Sequence, residues 1–145
     1  MYCGNIISEN RIQELQKIFN NEIKSFKENL TISIEKCKML KIKDVLLDVN
    51  SFYKSFNEEV KIVIENIRKL LFEYNQTIDL LENALESKRN NPYLNINMEI
   101  DIDKTLGVFD DFMLNLSKYN KLVDENNSVT KNYKIQTVHV EYQNL

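Results

Sequence analysis

Glu99, Asp101, Asp103, Asp110 and Asp111 crowd one short stretch of the chain. Carboxylate oxygens are the donors that Ca²⁺ and Mg²⁺ prefer, so a cation loop is the chemistry to test first. The calcium-loop template fails from Asp101: its sixth position is Leu106, where a sharp turn needs Gly, and its twelfth is Phe112, where a bidentate Glu belongs. The five residues therefore read as a solvated acidic face, and as a candidate surface for a basic partner, not as a metal site.

The other reactive side chains are scattered. His139 is the single histidine and has no Ser or Cys beside it in a nucleophile motif. Cys3 and Cys37 lie 34 positions apart without metal-ligand spacing, which predicts free thiols, a reducing compartment and cytoplasmic localisation. Lys36, Lys38, Lys41 and Lys43 form a basic run, but Glu35 and Asp44 flank it and no aromatic platform interrupts it. With a net charge of -3, the chain has no footprint for nucleic acid. Gly4 and Gly107 are the only glycines, so no Gly-rich phosphate cradle can be written. No catalytic, cofactor-binding or metal residue is assigned, and the expectation is a protein that is not an enzyme.

The elements that would position these groups are mostly helical. No Gly or Pro occurs from Asn5 to Asn91. Ser8 is a natural N-cap for a first helix with the stripe Ile12, Leu15, Phe19, Ile23, Phe26, Leu30, Ile34 and Cys37. A second stripe runs from Val49 through Phe52, Phe56, Val60, Val63, Ile67, Leu70, Tyr74, Ile78 and Leu81 to Leu85, widened by Ile64 and Leu71. Lys88 and Arg89 suit a helix C-terminus, and Pro92 stops propagation. Asp48-Val49-Asn50-Ser51 offers turn chemistry and is the expected break, with one continuous rod, or a break nearer Lys41–Lys43, as the rivals. A break there gives helices of about 40 and 38 residues, each roughly 57–60 Å long.

After Pro92 the period changes to two. Leu94, Ile96, Met98, Ile100 and Ile102 alternate with polar residues, which predicts a half-buried strand. Asp103 reads as the N-cap of a third helix carrying Leu106, Phe109, Phe112, Met113, Leu116, Tyr119 and Val123. Residues 124–132 read as a polar loop, and Tyr133–Tyr142 as a second strand rich in β-formers. The expected fold is mainly α: a long antiparallel, coiled-coil-like helical hairpin over 1–91, then a strand-helix-strand element over 92–145 packed on its open end.

The stretch 8–89 resembles the small helical-hairpin cargo proteins of bacterial type VII secretion. It lacks their Trp-x-Gly turn, reading Asp48-Val49-Asn50-Ser51 instead, and Tyr74 is followed four residues later by Ile78 where their export signal needs an acid. Membership is not assigned on that likeness. No apolar run approaches the roughly 20 residues of a membrane span.

Leu46, Leu47, Val49, Phe52, Tyr53 and Phe56 cluster around the expected turn, more large apolar groups than a bare hairpin tip needs, and are candidates for a partner-binding surface. The other reading is that they cap the hairpin's own core. Two long stripes exceed what one short third helix can cover. The expected function is accordingly a helical assembly or adaptor protein acting through protein–protein contacts and self-associating, most simply as a dimer. The alternative is a small inhibitor or immunity-type protein, or a helical secretion-associated protein, binding a partner through its acidic 99–111 segment.

Overall fold

The computed structural model describes residues 8–143, and side chains as far as Tyr133. It contains three long helices: α1 (Glu9–Leu40), α2 (Asn57–Asn90) and α3 (Ile102–Gln143). Ser8 caps α1, its hydroxyl accepting the Arg11 N–H at 3.2 Å. α2 ends two residues before Pro92, with Lys88 and Arg89 in its last turn.

Contacts divide the chain into two compact units. The first joins α1 to Ile78–Glu99. Within it α1 and the last part of α2 run antiparallel as a helical hairpin: Arg89 donates to the Thr31 hydroxyl at 3.3 Å, and Lys41 reaches Asp79 and Glu82. Leu30, Ile34, Cys37 and Ile78 are buried here.

The second unit joins Ile42–Thr77 to α3. Its core is built on α2, from Val60, Val63, Ile64, Ile67 and Leu71, closed by Phe52 from the connector and by Phe112 and Leu122 from α3. Phe52 meets Tyr119 edge-on at 5.6 Å, and Tyr74 meets Phe109 at 5.7 Å. The ordering of these pairs makes α2 and α3 antiparallel in this unit.

The expected strand-helix-strand element is absent among the described residues. α3 instead runs for 42 residues through both the expected loop at 124–132 and the expected strand at 133–142. A helix already nucleated adds a hydrogen bond for each residue it fixes, and that cooperativity outweighs the weak β-preference of Thr and Val. Asn126 adds a local reason. It is buried at 8% exposure, its side-chain oxygen accepting the Tyr53 N–H at 2.9 Å and its amide donating to the Ser51 carbonyl at 3.3 Å. Residues 94–101, whose alternation predicts a strand, belong to no helix and make no ladder. α3 begins earlier than expected, with the Asp101 carboxylate accepting the Lys104 N–H at 2.9 Å.

The break between α1 and α2 is wider than the expected turn. α1 stops at Leu40, nearer the rival Lys41–Lys43 position, because Asn75 takes the Ile42 backbone out of the helix: Ile42 N–H donates to its oxygen at 3.0 Å, and its amide donates to the Ile42 carbonyl at 2.8 Å. Asp48–Ser51 does form a turn, a short 3-10 segment with Asp48 accepting the Asn50 N–H at 2.8 Å.

Replacing Asn126 by Ala strands a backbone donor and a backbone acceptor. The substitution is expected to cost about 1–3 kcal/mol in urea unfolding, whereas Asn127→Ala at the exposed neighbour stays within about 0.5 kcal/mol.

Candidate functional site

The acidic residues do not converge. Glu99 lies in the extended segment, Asp101 caps α3, Asp103 sits in its first turn, and Asp110 and Asp111 follow on the same helix, all exposed. Among the described residues no three His, Cys, Asp or Glu side chains are grouped to hold a metal ion. His139 falls on α3 beyond the described side chains, and Cys3 lies outside the described residues.

The apolar residues near the connector are divided by the structure. Phe52 is buried in the second unit, and Leu47, Val49 and Phe56 pack half-buried against its core. Tyr53 is exposed, and its phenol oxygen accepts a hydrogen bond from Thr130 at 3.2 Å. Leu46 alone is fully exposed. These residues hold the connector to its own core, and only Leu46 and Tyr53 present much area outward.

Two of the four lysines of the basic run meet carboxylates among the described residues. Lys38 pairs with Glu35 at 3.3 Å. Lys41 is clamped between Asp79 and Glu82, the second at 2.8 Å. The Glu82 carboxylate is itself largely buried, so Lys41 is its charge partner. The Asp79 contact, then the Glu82 contact, hold the Lys41 ammonium above its ordinary range. Burial, reinforced by the Glu82 charge and opposed by Lys41, pushes the Cys37 thiol up, away from nucleophilic thiolate. The group is a fastener between α1 and α2, not a reactive centre.

A long uncommitted surface lies on the first half of α1. From Ser8 to Asn29 every residue is exposed except the half-buried Ile23. Ile12, Leu15, Ile18, Phe19 and Phe26 keep between 39% and 52% of their area accessible. The same stripe is buried further along, at Leu30, Ile34 and Cys37. Tyr93, itself exposed, stacks on Phe19 at 6.4 Å and extends the apolar face. Shallow grooves run along it, one lined by Ile12, Leu15 and Phe19 and one by Ile18 and Phe26. The residues of this stripe were legible by spacing. The two bridging amides, half-buried Asn75 and buried Asn126, were not, because a polar residue on a packed face breaks the pattern that reveals the face.

The model of the AAA domain family matches residues 1–143. The chain belongs to that family. No curated protein and no solved structure matches it. Family membership implies a nucleotide, whose phosphates need a Gly-x-x-x-x-Gly-Lys-Ser/Thr loop between a strand and a helix. The residues here do not fit one: no Lys follows a Gly anywhere in the chain. Gly107 lies in the second turn of α3, where an added Cβ would meet nothing within 4 Å, so it forms no close cradle. Among the described helices none is long and apolar enough to cross a membrane.

The Cys37–Lys41–Glu82 group has a pH signature. Below 9.0, the ordinary value of Cys37, folded and unfolded chains both hold the thiol proton. Above it the unfolded chain releases that proton first, so stability falls as pH rises. The Lys41 contribution is complete below 10.5 and is lost later, as pH climbs through its raised folded value. Urea midpoints measured upward from pH 8 are expected to fall, and Cys37→Ala is expected to flatten the first part of that fall.

Proposed function

We propose that the chain is a non-enzymatic assembly or adaptor protein that works by protein–protein contact and self-associates, with a dimer as the basic form. The observation that carries this reading is the uncovered apolar face on residues 8–29 of α1. An isolated helix of that length is marginal in water and normally draws its stability from burying such a face. Covering five half-exposed large side chains is worth on the order of 5 kcal/mol, comparable with the lower end of a domain's total stability. The free, buried Cys37 favours a reducing, cytoplasmic setting.

A second reading takes the acidic stretch as a docking strand for a basic partner, as an inhibitor would use it. Residues 95–100 belong to no helix or ladder and, among the described residues, their backbone groups have no hydrogen-bond partner. Such an edge accepts an added strand. Glu99→Lys with Asp103→Lys would abolish capture of a basic partner, and leaving Asp101 intact preserves the α3 cap.

Light scattering of the full chain at micromolar concentration is expected to give a mass that is a multiple of 17.2 kDa. Leu15→Asp with Phe19→Asp is expected to return it to the monomer. A wild-type chain that runs as a clean monomer rejects self-association.

A further inference from the structure

We propose that the occupant of the uncovered α1 face is the same face of a second copy, laid antiparallel about a two-fold axis passing between residues 16 and 18. This rests on the self-association reading above and adds the surface, the orientation and the register.

Helical geometry sets which residues share a margin. At 3.6 residues per turn, eleven residues make about three turns and eighteen make five. Arg11 and Glu22, eleven apart, therefore share one flank of the stripe, and Glu9 and Lys27, eighteen apart, share the other. All four are exposed. In an antiparallel pair each flank faces the same flank of the other copy. A flank carrying one cation and one anion is then complementary to itself.

The registers agree. Setting Arg11 opposite Glu22 of the second copy, and Glu9 opposite Lys27 of the second copy, places the axis within residues 16–18 from both flanks, a spread of about 2 Å at 1.5 Å per residue. The same register sets Ile12 opposite Ile23 and Leu15 opposite Phe19. The antiparallel pair gains four contacts of opposite charge. A parallel, in-register pair gains only two, between Glu22 and Lys27, and sets Arg11 near the neutral Gln16. Among the described residues Arg11 makes one side-chain ion pair, an exposed contact to Glu14 at 3.4 Å, which is easily given up.

The area suits a modest complex. The half-exposed side chains, with the apolar stems of the flanking residues, remove about 500 Å² per copy, hence about 1,000 Å² for the pair. That lies at the lower bound for specific interfaces and suits micromolar affinity.

Charge swapping tests the proposal on the intact chain, with association followed by sedimentation equilibrium and helicity by circular dichroism. Arg11→Glu alone and Glu22→Arg alone are each expected to weaken self-association by about tenfold or more, since each sets like charges opposite twice per dimer. Mixing the two variants one to one is expected to restore association, because each substituted position then faces a residue of opposite charge on the other copy. The double variant restores it too. A parallel pair would be indifferent to Arg11→Glu, so an unchanged Arg11→Glu variant overturns the orientation. Wild-type association that survives every variant shows that another surface is used and overturns the inference while leaving self-association standing. A wild-type monomer ends both.

Discussion

The wide apolar face on the first half of α2 is the constraint around which the second unit is arranged. Val60, Val63, Ile64, Ile67 and Leu71 span more of the helix circumference than one neighbour can cover. α3 covers one side with Phe112 and Leu122, and the connector covers the rest with Phe52. A straight helical continuation from α1 into α2 could not bring Phe52 back onto that face. The broken, 3-10-containing connector is the geometric consequence of needing a third cover.

Packed amides make that connector hold. A chain that leaves a helix exposes backbone groups that must be satisfied, and burying them unpaired is expensive. Asn75 answers both polar groups of Ile42, and Asn126 answers Tyr53 and Ser51. An amide is suited to this because it carries a donor and an acceptor together. The Lys41 clamp does the equivalent in the first unit with charge.

The sequence disclosed what obeys periodicity. Ser8 as a cap, the α1 stripe, the α2 stripe from Val60 onward and the end of α2 before Pro92 all followed from spacing and capping chemistry, whereas Val49, Phe52 and Phe56, read as the start of that stripe, lie in the connector. Two further things did not. The extension of α3 past Val123 was hidden because Asp124–Ser128 has loop composition, and only the packing of Asn126 against the connector reveals why that stretch stays helical. The segment 94–101 is a second miss: its alternation reads as a strand, but it forms none, because a strand needs a ladder partner that local pattern does not encode. The candidate site divides the same way. The stripe Ile12, Leu15, Phe19, Phe26 was readable as apolar, whereas its remaining uncovered was not, because burial depends on the rest of the fold.

Long helices also bear on what membership in the AAA domain family implies here. Nucleotide chemistry needs backbone N–H groups gathered at a tight, glycine-lined turn, and long uninterrupted helices spend those groups on their own ladders. Of the two glycines, Gly107 is itself inside a ladder. What such helices offer instead is length: rows of side chains repeated every three or four residues, with charges fixed along each margin. On α1 the centre of the row is apolar and open, and each margin carries one charge of either sign. On the proposal above, a surface of that design would be read by another helix, through the fit of its row and the match of its margins.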